Sequence, residues 1–385
     1  MAIQENLPNG LEQFEELCED LHDPRRQTHI DYPLKEVLFL CVCATLCGFE
    51  SNRSIETFGE EKLEWLRRFF AYRCGIPGHE TIGDVIGFLE KEAFESSFIA
   101  WVESCFGKQS DLLIHIDGKR LSNSAARMLQ DKKSEDGGQR PEAIVNAYAS
   151  DIGIVIAHKS IGEHGDEKRG AKEIIDQLFL ENATITGDSN FCDKIILKQI
   201  KERKGHYVMA LKKNNPTLYD LAEQYFGDVR VDKMPFHTQD TGHGRIELRT
   251  YHSIRVDGLP DQKFKQYAGL CRIVRVRRQR TIKRKGKSTD ETQYYITDLD
   301  RPVEELAHAI RSHWRIENSL HWVLDTGFNE DQSTRRTTNQ AANFSLIKKM
   351  ALNLINSRRG KKSIKATRIR CALSDQVREN ILQLS

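Results

Sequence analysis

From Glu12 to about Phe106 the apolar residues recur at helical spacing, as in Leu34, Val37, Leu38 and Cys41 and again in Phe94, Phe98, Trp101 and Val102. This period predicts a helical N-terminal region, broken by a loop around Gly75, Pro77 and Gly78. At Leu112 the pattern changes. Short apolar runs, Leu112 to Ile116, Ala143 to Ala149 and Ile152 to Ile161, are separated by turn-rich segments that include Asp136-Gly137-Gly138 and Asp151-Ile152-Gly153. They predict three consecutive strands, the last two as a hairpin. A helix (Lys172 to Phe179), a strand (Ala183 to Thr186), a helix (Asp193 to Lys201), a strand (Tyr207 to Leu211) and a helix from Pro216 follow.

Three strands followed by alternating helix and strand give a mixed α/β sheet, in the ribonuclease-H-like order. Between about 227 and 300 the strand pattern returns, with Arg245 to Val256, Tyr267 to Arg278 and Gln293 to Ile296 as candidates for an inserted β region. Final helices are expected from Pro302 through Trp322 and from Asn339 to Ile355. The expected division is therefore a helical domain over 1–106, an α/β domain over 107–358 with its β insertion, and a basic segment over 359–385.

With 385 residues, 39% hydrophobic and 30% charged, the chain can bury a core. The longest apolar stretch, Val37 to Phe49, falls short of the roughly 20 residues that span a bilayer. The first residues lack the basic and apolar regions of a signal peptide, so a cytoplasmic protein is expected. Nine cysteines occur without a CxxC pair, and Cys41, Cys43 and Cys47 read as reduced core thiols. A net charge of only +2 conceals two basic clusters, one from Arg272 to Lys287 and one from Arg358 to Arg370. Each is as consistent with a solvated face as with phosphate contact.

Asp117 follows Leu-Leu-Ile-His-Ile and precedes Gly118-Lys119, which places it at the end of the first strand, where α/β sheets carry functional groups. Asp-Gly is also an ordinary turn. Asp188 ends the run Ala-Thr-Ile-Thr-Gly-Asp; it could instead cap the next helix. Two aspartates ending strands of one sheet could share a divalent cation, which would relieve their repulsion. Glu317 lies in a helix rich in His, Trp and Arg, where helical spacing puts it on one face with His313, Trp314, Leu320 and His321. A buried ion pair is the competing reading. For His321 a packed structural role competes with contact to a scissile phosphate or water, and for Lys119 an exposed turn competes with phosphate contact. Asp325, Glu330 and Asp331 read as partners of Arg335 and Arg336, or as an extension of the acidic site.

The order and spacing of several short motifs resemble the H-repeat-associated insertion-sequence transposases of the DDE superfamily, over nearly the whole chain. They are Asp23-Pro24-Arg25, Tyr32-Pro33-Leu34, Leu46-Cys47-Gly48-Phe49, Ile116-Asp117-Gly118-Lys119, Glu167-Lys168, Gly187-Asp188 and Ala210-Leu211-Lys212-Lys213-Asn214. Further on come His243-Gly244-Arg245-Ile246-Glu247 with Arg249, Tyr294-Tyr295-Ile296, His313-Trp314-Arg315-Ile316-Glu317-Asn318, Leu320-His321-Trp322-Val323-Leu324-Asp325 and Phe328-Asn329-Glu330-Asp331. Three features depart from the pattern: Ser-Asn-Phe-Cys-Asp follows Asp188, the stretch after Lys119 is more polar than the family's, and Val323 stands where the wider superfamily often has a lysine.

The resemblance implies a catalytic core whose three acids are Asp117, Asp188 and Glu317, with two Mg²⁺ (or Mn²⁺) ions about 3.5 to 4 Å apart. Asp117 would bridge both ions, while Asp188 and Glu317 would each complete one coordination shell. Double-stranded DNA, as element ends and target, is the expected partner, with a homodimer on DNA. The side chains expected to face it are Lys119, Arg245, Arg278, Arg280, Lys283, Arg284, Arg311, Arg315 and His321. A domesticated nuclease and a non-catalytic DNA-binding protein that kept the fold are the competing readings.

Overall fold

The computed structural model describes residues 9–25, 30–121, 142–162, 165–228, 235–242, 244–257, 259–282, 287–332 and 338–384. Lys283, Arg284, His243, Arg335, Arg336 and the Asp136-Gly137-Gly138 turn lie outside them.

The helices α1 (Gly10–Glu19), α2 (Leu34–Cys47), α3 (Asn52–Leu66), α4 (His79–Phe88) and α5 (Lys91–Phe106) come first. The strands β1 (Leu113–Arg120), β2 (Ala143–Ala149) and β3 (Ile154–Gly162) follow, then α6 (Glu167–Gln177), β4 (Thr184–Gly187), α7 (Lys194–Glu202), β5 (His206–Leu211) and α8 (Pro216–Asp228). Four strands, β6 (Phe236–Gly242), β7 (Arg245–Arg255), β8 (Arg272–Ile282) and β9 (Lys287–Thr297), precede α9 (Val303–Ser312), α10 (Trp322–Gly327), α11 (Thr338–Arg358), α12 (Ile364–Leu373) and α13 (Asp375–Leu382). Hydrogen-bonded neighbours run β3-β2-β1-β4-β5-β9-β8-β7-β6. The hairpin β2–β3 is antiparallel, β1–β4 and β4–β5 are parallel, and this is the expected ribonuclease-H-like mixed sheet.

Two compact units divide the chain, the first being 1–109, 118–178 and 317–385, the second 110–117 and 179–316. In the first unit α2 is buried almost throughout, with the free thiols Cys41, Cys43 and Cys47 inside it. Gly48 ends it at φ 101°, a left-handed conformation that glycine adopts at little cost. The second basic cluster is not a loose tail, because it forms α12 and leads into α13. Arg368 is buried, donates to Thr45 O at 2.8 Å and stacks on Phe328 at 4.1 Å. The long α11 packs on α2, α4 and β3.

In the second unit the β insertion is joined to the sheet, since β9 pairs antiparallel with β5. Helix α9 lays Leu306, Ala307, Ala309 and Ile310 on Leu113, Val208, Tyr251, Val274 and Val276. Four local expectations change. β6 was unforeseen because an edge strand with one paired side can be polar, and Phe-His-Thr-Gln-Asp-Thr-Gly shows no apolar alternation. β8 starts at Arg272 rather than Tyr267, because a 3-10 turn over Gln262–Gln266 intervenes. β9 runs from Lys287, its polar half being held by pairing with β8. α6 begins at Glu167, where Asp166 caps Lys168 N at 2.9 Å.

No described helix is long and apolar enough to cross a membrane.

One hydrogen-bond pair ties α11 to β3. Asn353 Oδ1 accepts from Val155 N at 2.9 Å, and its Nδ2 donates to Val155 O at 2.8 Å. Asn353→Leu should leave both backbone groups buried without this partner and destabilise the protein by about 2 to 4 kcal/mol. Urea unfolding checks this as a lower midpoint at unchanged slope.

Candidate active site

The register of β1 and β4 sets the site. His115 lies opposite Thr186 and Ile116 opposite Gly187, so Asp117 and Asp188 are the residues that directly follow the last paired positions. Pairing with β4 ends there, but β1 continues through Asp117 to Arg120. Asp117 therefore lies inside the strand and not at its tip or in an Asp-Gly turn. Gly187 is needed where it stands: a Cβ would come 2.9 Å from Met209 Sδ and 3.1 Å from Phe191 Cβ. Asp188 is not the cap of α7, because Asp193 fills that role, accepting from Ile195 N at 3.0 Å. Instead Asp188 Oδ1 accepts from Asn190 N at 2.8 Å, a local turn that fixes its carboxylate just beyond the strand.

Asp188 follows the last residue of β4, and the side chains of His115 and Asp117 leave β1 on one face. On that face Thr186 Oγ1 lies 2.6 Å from His115 Nδ1 and 2.9 Å from His313 Nδ1. The hydroxyl donates to one ring and accepts from the other. Burial, helped by the nearby His313 and Arg315, pushes His115 down to about 3, so the His115 ring is neutral. His313 closes α9, whose end is thereby pinned over the β1–β4 pair one turn before Glu317.

Past His313 the helix widens into a π-helical turn, Ile316–His321, a form often found at functional sites. Ile316, Leu320 and His321 turn inward, while the Glu317 side chain is 57% exposed. The expected common face is thus split, with Trp314 also exposed. Within the first unit Glu317 Oε2 lies 3.1 Å from His321 Nδ1, and His321 Nε2 lies 3.4 Å from Asn146 Nδ2. Burial lowers the His321 pKa, against the pull of Glu317. The neutral ring can donate from Nδ1 to the carboxylate and accept at Nε2.

Lys119 is neither an exposed turn residue nor available to phosphate. Its side chain is 8% exposed and its ammonium pairs with Asp325 and, at 2.8 Å, with Glu330. Asp325 and Glu330 are in this cluster, while their expected partners Arg335 and Arg336 lie outside the described residues. Burial would raise the Glu330 pKa, but the charges of Lys349 and Lys119 outweigh it and hold the carboxyl low.

The first basic cluster is partly neutralised. Arg278 pairs with Glu291 and Arg277 with Asp290 at 2.5 Å, both across the β8–β9 ladder. Arg280 is half-buried, with its Nε unpartnered among the described residues. Arg245 and Arg315 are exposed, and Arg311 lies 3.4 Å from Asp240.

With that geometry established, the comparisons give the class. Residues 152–354 match the transposase DDE domain family, and residues 15–102 match the DDE_Tnp_1-associated family. The chain belongs to the DDE transposase family. It is 35% identical over 373 residues to "Putative transposase YncI" of Escherichia coli O157:H7, covering 94% of this chain and 92% of that one. It is 31% identical over 342 residues to "H repeat-associated putative transposase YhhI" of Escherichia coli (strain K12), covering 87% and 88%. A solved piggyBac transposase synaptic complex with hairpin DNA aligns over 98% of this chain and 82% of that chain, at TM-score 0.44 and 11% identity.

His158 on β3 gives a pH test of the buried polar interior. Both its ring nitrogens lack a hydrogen-bond partner among the described residues. Burial first, then the Lys349 charge, hold its pKa well below 6.5. The unfolded chain takes up this proton below pH 6.5 and the folded chain does not. The group's contribution is thus complete above pH 6.5 and lost as pH falls, by up to about 1.4 kcal/mol per pH unit. His158→Leu should flatten the stability profile between pH 6 and 5 by about that slope; equal slopes in both proteins would contradict a neutral His158.

Proposed function

We propose that the chain is an insertion-sequence transposase that cleaves DNA strands and joins them to target DNA, with Asp117, Asp188 and Glu317 as its catalytic carboxylates. The observation that supports this reading is the β1–β4 register, whose last pair, Ile116 and Gly187, is followed directly by Asp117 and Asp188, with the end of α9 joined to Thr186 of β4 through His313. The donor set suits Mg²⁺ or Mn²⁺: hard carboxylate oxygens from the three acids, with the His321 imidazole as a further donor beside Glu317. Metal ions bound there would activate water or a 3′-hydroxyl and stabilise the leaving oxygen.

The chain's own part is orientation. Asp117 and Asp188 present oxygens from neighbouring strands, and His321 orients Glu317 by its hydrogen bond. Hydrolysis at an element's end and transfer to target DNA can use the same acids, because only the nucleophile differs. The arginines of β8, with Arg245, Arg311 and Arg315, supply phosphate contacts, and Lys119 is left out of that set because carboxylates already surround it. In this reading the protein works in the cytoplasm, on the ends of its own element, as a homodimer on DNA. The helical segment 1–106, the α/β segment 107–358 and the basic segment 359–385 serve as its working divisions.

Asp117→Asn, Asp188→Asn and Glu317→Gln should each lower Mg²⁺-dependent cutting of DNA carrying the gene's native flanks by at least a hundredfold, with DNA affinity in EDTA nearly unchanged. Near wild-type cutting by any one of them removes that residue from the site. In the same gel-shift series Arg278→Ala/Arg280→Ala should make the slope of log affinity against log salt shallower by about 1 to 2, at about 0.9 per phosphate contact. An unchanged slope would make the β8 arginines a solvated face.

A further inference from the structure

Asp117 and Lys119 are two residues apart on β1, so both side chains leave the strand on the same face. The Lys119 ammonium meets Asp325, Glu330 Oε2 at 2.8 Å and, more distantly, Asp331 Oδ1 at 3.9 Å. The other Glu330 oxygen accepts from Ser345 Oγ at 2.6 Å and lies 3.5 Å from Lys349 Nζ. Lys349, fully buried, donates to Ser345 Oγ at 2.6 Å. One ammonium thus gathers α10, the turn after it and the buried heart of α11 onto the last residues of β1.

Such an arrangement is poorly explained as stabilisation alone. Buried ion pairs recover little beyond the cost of stripping charges of water, and apolar side chains of the same volume often do better. What a buried, fully paired charge does supply is a fixed position: the ammonium must stay where its carboxylates are. The cage closes on the strand that carries Asp117, two residues away. Its carboxylates come from the segment that directly follows Glu317 and His321. It therefore acts on both chain segments that bear the proposed metal ligands.

We propose that Lys119 is a positioning residue for the metal site, its caged ammonium locking the acid-bearing face of β1 to the segment that continues from Glu317. The proposal rests on the reading of Asp117 and Glu317 as metal ligands. Lys119 touches neither DNA nor metal; it holds the end of β1 and the segment after Glu317 in place.

The test uses the full chain and a supercoiled plasmid carrying the gene with its native flanks, with nicked and linear products followed as Mg²⁺ is varied. Lys119→Met should raise the half-saturating Mg²⁺ concentration about tenfold or more, as loss of groups that orient metal ligands commonly does. Much of the rate should return at saturating Mg²⁺, and DNA affinity in EDTA should stay within twofold of wild type. Lys119→Arg keeps the charge and should shift the Mg²⁺ requirement less. Glu330→Gln weakens the cage from its other side and should raise the requirement as well, which keeps the test open if Lys119→Met fails to fold. An unchanged Mg²⁺ requirement in the folded variants, whatever the fall in rate, overturns the proposal. So does weaker DNA binding in EDTA, which would return Lys119 to phosphate contact. Asp117→Asn and Glu317→Gln are run alongside: if either cuts like wild type, the metal-site reading falls and the proposal with it. If both are dead while Lys119→Met keeps its Mg²⁺ requirement, only the role of Lys119 falls.

Discussion

The Thr186 hydroxyl, held between the imidazoles of His115 and His313, is the contact on which the rest of the site depends. It joins β1, β4 and the end of α9 at one buried point. A hydroxyl can donate to one ring nitrogen while accepting from another, and burial keeps His115 neutral, down to about 3. A charged residue in its place would bring an unpaired charge into the core. Asp117 and Asp188 follow two residues beyond His115 and Thr186 along their segments. Repulsion between those carboxylates is what a divalent cation would relieve.

Several of the described arginines are paired with acids or buried. Arg277 and Arg278 face Asp290 and Glu291 across the β8–β9 ladder. Arg368 and Arg378 are spent inside the fold, Arg378 lying 3.9 Å over the Trp65 ring. Exposed pairs of the β8–β9 kind are worth little in stability, and a polyanion can displace them. A surface of this type remains close to neutral in isolation and becomes basic only where phosphate competes for the arginines.

Much of the fold was legible because the strands that form the sheet's centre are apolar runs and the parallel strands alternate with amphipathic helices. β6 and the first half of β9 were not, since their polar residues are ordered by backbone pairing rather than by burial. For the site, the strand-end context read for Asp117 was not met, since β1 runs on through Arg120, while Asp188 does follow the end of β4; the matched family agrees with the resemblance carried by the short motifs. The local setting of Glu317 could not be read: a regular helix would give it a buried face, whereas the π-helical turn buries Ile316, Leu320 and His321 and leaves the carboxylate outward. Nor could the setting of Lys119, whose partners Asp325 and Glu330 lie about two hundred residues away in sequence. The Leu-His-Trp-Val-Leu-Asp and Phe-Asn-Glu-Asp motifs were the only signal, and periodicity does not pair a lysine with distant acids.

The central claim is that Asp117, Asp188 and Glu317 hold catalytic metal, and direct binding tests it without any assumption about DNA. Isothermal calorimetry of Mn²⁺ into the full chain, with thermal unfolding followed in parallel, should show binding and a rise in Tm, since an ion that prefers the folded state stabilises it by mass action. Asp117→Asn/Asp188→Asn/Glu317→Gln should lose both responses while keeping the fold. Equal Mn²⁺ binding and an equal Tm rise in the wild type and the triple variant would contradict the account.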